Sequence, residues 1–474
     1  VDDTADASPP AEPVSDLANT DLAVTQGHDA VEQLEQSGTL DEVADDAGVE
    51  PDELREELLE DSSMFLTDTG SVGYAEIATA QQSDAASLTI PASSGGASSL
   101  QVATLSSQPA SSNVLYLDFD GHVTTDPDWR SIAPGDPAVI TSAPFSLDGD
   151  PAFSPSEQAI IAEVWQRVSE DYLPFDVNVT TTDPGPFAGR GQRIVITSTN
   201  WTGDASVLGI ALVGKFGSTA DKPAFVFASP AFGPIAKSIA ESVSHEAGHT
   251  FGLYHHGQGG LDYYVGHNGW APIMGQPVSA QPPITQWARG EYSGATRPNQ
   301  DDLGVIASRI GYAVDNAGGT TCSTVVVSRS SFTRGNVGST GDRDVFAVDV
   351  GSGQLSVTLR PPVGSASWSN LFAMVTVRGV DGRVVATARP SEPGSWTASL
   401  VANVQGGRYF IEVDPIGWRT PIDGFSVYGS LGAYELSVDG AAGAPPPPPL
   451  AVCRSAFTPV KPARLVDTRN GLGA

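Results

Sequence analysis

The sequence predicts a multidomain chain in which an α/β domain is followed by an all-β sandwich, and three observations carry that prediction. A strand, a helix, several short strands and a long helix succeed one another between residues 113 and 315. Alternating β segments separated by Gly- and Asp-containing turns fill residues 322–440. With 474 residues, 51 Gly and 36 Pro, the chain exceeds what one core serves and is rich in turn and linker residues.

The first element is acidic. Residues 1–62 contain 20 Asp/Glu and a single Lys/Arg, Arg55, so they supply most of the formal charge of −32. Residues 1–78 therefore read as an acidic, mostly helical pro-segment or solvated tail. Within it, Thr39 and Glu42 have capping-box spacing, and Leu54, Leu58 and Leu59 mark an apolar helix face beyond Pro51. Met64–Leu66 and Val72–Tyr74 flank Asp68-Thr69-Gly70 as a hairpin. Residues 79–112, rich in Ser, Ala, Gln and Gly and nearly uncharged, have a linker's composition.

The α/β domain, 113–315, opens with the apolar strand Val114–Leu117. Ile160, Ile161, Val164, Trp165, Val168 and Tyr172 follow at helical spacing, and then β-like runs at Val177–Val179, Arg193–Thr197 and Phe225–Phe227. A helix expected from Pro234 or Ile235 carries Ile239 and Val243 towards a histidine cluster. The sandwich strands are read at Val345–Val350, Leu355–Leu359, Phe372–Val377, Tyr409–Val413 and Tyr434–Val438. Residues 441–451 form a Pro-rich linker, stiff at Pro445–Pro449, and 452–474 read as the truncated start of a further module.

Composition excludes some partners. The net negative charge lacks the Lys/Arg clusters that phosphate neutralisation requires, so nucleic acid is not expected. No run of 18 apolar residues predicts a membrane span. Two cysteines, Cys322 and Cys453, are too few for a disulfide framework or thiolate site, though they are free to pair with each other. No signal peptide is visible, and a chain starting at Val1 is compatible with one already removed.

The chemistry concentrates in His245-Glu246-Ala247-Gly248-His249-Thr250-Phe251-Gly252-Leu253-Tyr254-His255, of the form H-E-x-x-H-x-x-G-x-x-H. Histidines four apart project from one helix face and can share a metal. Glu246, about 100° around the helix from His245, stands beside the metal as a proton acceptor rather than a ligand. Gly252 can take a left-handed conformation that ends the helix and returns His255 to the site. Three neutral imidazoles favour zinc and leave one position open to water. Chance produces the whole pattern in such a chain with a probability on the order of 10⁻⁵. His256 competes with His255 as third ligand, but the spacing selects His255; His267 reads as a loop residue and His122 as surface.

On these residues the chain resembles the metzincins, specifically the matrixin-like secreted bacterial peptidases. Trp270-Ala271-Pro272-Ile273-Met274-Gly275 looks like the Met-turn of that clan, which implies Met274 as an apolar floor beneath the ligands. Gln300-Asp301-Asp302-Leu303-Gly304-Val305-Ile306 is similar to the matrixin stretch opening the domain's last helix, with Asp301 and Asp302 as its anchors or as simple N-terminal carboxylates. The resemblance implies a metzincin-like catalytic domain and a secreted, monomeric zinc endopeptidase acting on proteins or peptides, its substrate extended along an edge strand such as Ala224–Ala228. Departures are Gln276 where several subfamilies carry Tyr, leaving Tyr263, Tyr264 or Tyr292 as substitutes, and His256 after the third ligand. Residues 1–112 hold no cysteine, so a cysteine switch cannot hold the enzyme latent; an acidic residue could occupy the open metal position instead, and the sequence does not identify which.

Residues 322–440 resemble the bacterial pre-peptidase C-terminal domain through Asp342–Phe346, Gly407–Val413 and Tyr428–Leu436. Pro462–Arg469 is similar to a motif of surface-exposed actinobacterial proteins. A calcium ion is a further candidate cofactor at Asp118-Phe119-Asp120-Gly121, a motif equally read as a turn. The rival expectation is a catalytically inactive metal-binding adhesion or matrix-binding protein. Retention of Glu246, which binding alone does not require, speaks against it.

Overall fold

The computed structural model describes residues 22, 24–77, 102–228, 236–276, 283–315, 317–321, 324–362 and 368–442. The cysteine pair, Pro445–Pro449 and residues 452–474 lie outside these, as does most of the expected linker.

The acidic segment folds into α1 (Gly27–Ser37), α2 (Leu40–Ala47) and α3 (Pro51–Glu60), followed by the hairpin β1 (Met64–Leu66) and β2 (Val72–Ile77). Apolar faces drive this: Ala30, Leu34, Val43, Leu54, Leu58, Met64 and Tyr74 form one buried cluster, joined by Val213 and Tyr254 from beyond residue 200. The expected capping box at Thr39 is not made. Thr39 sits near φ −104°, ψ 4°, outside the extended conformation that aims a cap side chain at the helix, and its hydroxyl bonds Ser37 instead. Gly70, at φ 88°, supplies the left-handed residue of the hairpin turn.

Residues 102–112, linker-like in composition, are held by hydrogen bonds. Ser107 N donates to Val179 O (3.0 Å), Thr181 N to Leu105 O (3.1 Å), and Val102 enters the core. There follow β3 (Val114–Asp118), β4 (His122–Thr124), α4 (Pro127–Ile132), β5 (Ile140–Ser142) and α5 (Pro155–Asp171). A capping box between Ser154 and Glu157, with Pro155 in the first turn, starts α5. Next come β6 (Asn178–Thr180), β7 (Gly191–Thr197), β8 (Val207–Leu212), β9 (Ala224–Phe227), α6 (Ala236–Phe251), β10 (Trp270–Pro272), β11 (Ile284–Gln286) and α7 (Asp302–Ile310).

One mixed sheet organises this half, in the order β1-β2-β8-β9-β7-β3-β6. Strands β6, β3, β7 and β9 run parallel, while β8 is antiparallel to β9 and β2 antiparallel to β8. Ala224–Phe227 is therefore not an edge. Its hydrogen-bonding groups are shared with β7 and β8 on either side, which corrects its expected role as the substrate strand. Strand β8, a wholly buried run of apolar residues, lies on the other side of β9 and is paired by β2. Helices α5 and α6 pack together against the sheet, with Val164, Val168, Ile239, Val243 and Phe251 buried between the layers.

The C-terminal half is a two-sheet sandwich built from β12 (Val325–Val326), β13 (Phe332–Val337), β14 (Asp344–Val350), β15 (Gly353–Arg360), β16 (Ala373–Gly379), β17 (Val384–Ala388), β18 (Ala398–Val404), β19 (Gly407–Pro415) and β20 (Gly432–Gly440). The sheets are ordered β12-β14-β19-β16-β17 and β13-β20-β15-β18. Their inner faces alternate apolar residues such as Leu355, Val357 and Leu359 against Val375, Val377, Ile411 and Val413. The sandwich is bound to the first half. Tyr428 Oη donates to Asp301 (2.5 Å), Asn370 Nδ2 to Asp171 (2.6 Å) and Ala433 N to Glu170 (3.2 Å). Among the described residues no helix is long and apolar enough to cross a membrane.

Candidate metal centre

Helix α6 delivers the first two histidines. His245 and His249 lie one turn apart, their Nε2 atoms 3.1 Å from each other. Gly252, at φ 103°, ends the helix, and the chain returns so that His255 joins them; the ring centroids of the three lie 4.7–5.2 Å apart. All three are buried.

Each imidazole is oriented from behind. His245 Nδ1 donates to Ile273 O (2.8 Å), His249 Nδ1 to Leu253 O (2.8 Å), and His255 Nδ1 lies 2.7 Å from Asp61 Oδ2. A carbonyl oxygen only accepts, so Nδ1 of His245 and of His249 is the donor, and the Nε2 atoms of both rings face the centre of the cluster. Burial drives the His249 pKa down to about 3. Three imidazoles with their rings oriented from behind have the donor chemistry of a zinc site.

Beneath the cluster lies Met274, fully buried. A Cβ at Gly248 would stand 2.5 Å from its sulfur, so the glycine lets the helix close on the methionine. His256 turns away: its Nε2 meets both carboxylate oxygens of Asp302 at 3.1 Å. Asp302 also accepts from Ala288 N (2.9 Å), and Asp301 caps α7 through Gly304 N (3.1 Å). The two acids thus serve both as anchors and as helix-terminal carboxylates. Of the three candidate tyrosines, Tyr263 reaches the site, its ring 4.3 Å from that of His255. Tyr264 and Tyr292 stack on each other at 4.1 Å.

Glu246 is buried with no hydrogen-bond partner for either carboxylate oxygen. Burial, and then the negative charge of Glu76, push its pKa well above the carboxylate range. Such a shift favours the protonated carboxyl. Gly209 makes room for it, since a Cβ there would overlap Glu246 Oε1.

The residue that sequence reasoning missed is Glu76. Its Oε1 lies 2.9 Å from His255 Nε2, 3.3 Å from His245 Nε2 and 3.5 Å from His249 Nε2. Ligand atoms of the four residues fall within 4.8 Å of one another. Burial opposes its charge, yet His255 and His245 hold its pKa well below the usual range. Asp61, behind His255, was missed as well. Neither stands out among so many acids; the one available signal is that Glu76 sits inside the apolar strand Val72–Ile77. Strand β8 also escaped notice, because a short unbroken apolar run with an internal glycine has no strand periodicity.

Elsewhere, Asp118 pairs with Arg193 and accepts from Asp120 N (3.0 Å), so Asp118–Gly121 forms a turn whose first carboxylate is already neutralised. Carboxylates of Asp315, Asp342 and Asp344 converge at the start of the sandwich. Burial and these neighbours raise Asp344 to about 7, against a hydrogen bond from Tyr434.

No family model matches the chain, and no curated protein matches it. Solved structures match over roughly a quarter of its length. The chain is similar to the pre-peptidase C-terminal domain of a collagenase from Bacillus anthracis at 15% identity, covering 24% of this chain and 94% of that one, with a TM-score of 0.18. It is similar to PliG, a periplasmic lysozyme inhibitor from Aeromonas hydrophila, at 17% identity (24% and 94% covered, TM-score 0.17). A family 35 carbohydrate-binding module from Cellvibrio japonicus matches at 19% identity (28% and 85% covered, TM-score 0.17). These neighbours are of β-sandwich type.

Proposed function

We propose that the chain is a zinc-dependent metalloendopeptidase. The observation that carries this reading is the convergence of three buried imidazoles, each held by an acceptor on Nδ1, beside the unpartnered carboxylate of Glu246. His245, His249 and His255 would hold the metal, which when bound polarises a scissile carbonyl and acidifies water. Glu246 takes the proton of the attacking water and passes it to the leaving amine, a role for which its unpartnered carboxylate beside the imidazoles is placed. Met274 and Gly248 keep the helix seated under the ligands, and Gly209 keeps the space that Glu246 occupies.

One observation favours a second reading, a non-catalytic metal-binding adhesion protein: Glu76 completes a four-donor set, and closed sets belong to structural sites. Cleavage of casein by the chain cut within residues 78–101 and freed of its N-terminal piece separates the two. The peptidase reading expects cleavage that 1,10-phenanthroline abolishes, about one zinc per chain, and loss of cleavage with zinc retained in Glu246→Gln. Bound zinc without cleavage of casein or a broad peptide library supports the second reading.

A further inference from the structure

The acidic segment does more than sit near the metal centre; it enters it from two sides. Strand β2 is hydrogen-bonded along β8 in antiparallel register, Gly73 opposite Leu212, Tyr74 opposite Ala211, Ala75 opposite Ile210 and Glu76 opposite Gly209. Residues directly opposed on an antiparallel pair share a face. Gly209 has no side chain to offer on that face, and the space is taken by Glu246. Glu76 therefore projects to where Glu246 and the three histidines meet. One of its oxygens faces all three Nε2 atoms, 2.9–3.5 Å away.

The rest of the segment fastens this contact. Tyr74 stacks on His249 with ring centroids 4.4 Å apart, and its hydroxyl donates to Glu57 (2.5 Å). Asp61 holds His255 Nδ1. The few basic groups nearby receive the segment's acids: Lys215 pairs with Asp46, and Arg297 with Glu53 and Glu57. These are the contacts of a docked inhibitor, an added strand on a sheet edge with a ligand at its tip.

We propose that residues 24–77 are a built-in inhibitor, in which Glu76 is a displaceable fourth metal ligand and β2 occupies the β8 edge where an extended peptide substrate binds. The proposal rests on the peptidase reading above. It assigns the latency function to a carboxylate in a segment without cysteine. With Glu76 as a fourth donor a bound zinc ion would have no position left for water, and a paired β8 has no free edge for substrate. Release of the segment restores both at once.

The test uses the full chain with a site-specific protease sequence placed within residues 78–101, its metal replaced by Co²⁺, and azide as the probe of an open coordination position. Visible absorption reads azide binding; a fluorogenic peptide library and casein read cleavage. In the uncut chain azide is expected to leave the spectrum unchanged. In Glu76→Ala, and in the cut chain after the N-terminal piece is removed, azide shifts the spectrum, whereas cleavage rises, by about tenfold or more, in the cut chain, where β8 is freed as well. The isosteric Glu76→Gln serves if the alanine variant does not fold. The proposal is overturned if azide enters the uncut wild-type site as readily as the variants, or if losing Glu76 expels the metal, since the carboxylate is then a permanent ligand. Azide binding in both opened forms without cleavage of any substrate upholds Glu76 as the closing ligand and removes the peptidase reading instead.

Discussion

Replacing Gly209 by alanine tests the placement of Glu246 without touching a metal ligand. Gly209 does not have the left-handed φ that alanine resists, so the added methyl acts through contact alone. Its Cβ would stand 2.7 Å from Glu246 Cδ and 3.0 Å from Cγ, where ordinary contact begins at 3.4 Å. Oε1, the nearest atom, must move by about 1.5 Å and Cδ by about 0.7 Å, and a misplacement near 1 Å costs a reaction on the order of 100-fold. With the N-terminal piece removed, G209A is expected to lower kcat by about 10- to 100-fold while zinc content and the circular dichroism spectrum stay unchanged. Peptide hydrolysis with a parallel metal assay measures this. An unchanged kcat with the metal in place would refute the argument that Glu246 must stand against β8 to work.

Three further outcomes are expected. In Glu246→Gln hydrolysis falls by about 10²–10⁴-fold with zinc retained, since the amide cannot accept the proton; cleavage surviving that change would remove the assigned base. Asp302→Ala leaves His256 and the Ala288 amide without their buried acceptor and should cost about 2–4 kcal/mol in urea unfolding; a loss under about 0.5 kcal/mol would show the pair to be dispensable. At the junction with the sandwich, burial raises Glu170 to about 8 and Asp171 to about 7. The folded chain thus keeps protons that the unfolded chain loses first. Stability should fall as pH rises from the ordinary carboxylate range through about 8, by up to about 1.4 kcal/mol per pH unit for each group. Glu170→Gln should flatten that fall, read as urea midpoints between pH 5 and 8, and an unaltered slope would exclude Glu170 as its source.

The legible parts of the sequence were those fixed by short-range geometry. His245 and His249 are brought together by one helical turn, and Gly252 marks where the helix stops, so the histidine cluster could be read without a fold. The hairpin at Asp68–Gly70 and the alternating strands from Asp344 to Gly440 were likewise announced by local pattern and turn residues. The Thr39 capping box shows the limit even there. The spacing was right, but packing of α1, α2 and α3 set a backbone conformation in which the hydroxyl bonds Ser37.

What lay beyond the sequence was every relation set by sheet order. Nothing local distinguishes β9, an interior strand, from β8, the one that β2 covers, because which strand is an edge depends on pairing across the whole sheet. Glu76 and Asp61 stand 179 and 194 residues from His255, and no spacing rule reaches that far. The sequence by itself determined that His245, Glu246 and His249 share one helix, because a helix converts residue spacing directly into position. Only the tertiary structure decided that Glu76 of the acidic segment stands among the three histidines, because a carboxylate's place there depends on the register of β2 against β8 and on the burial that the two strands create together.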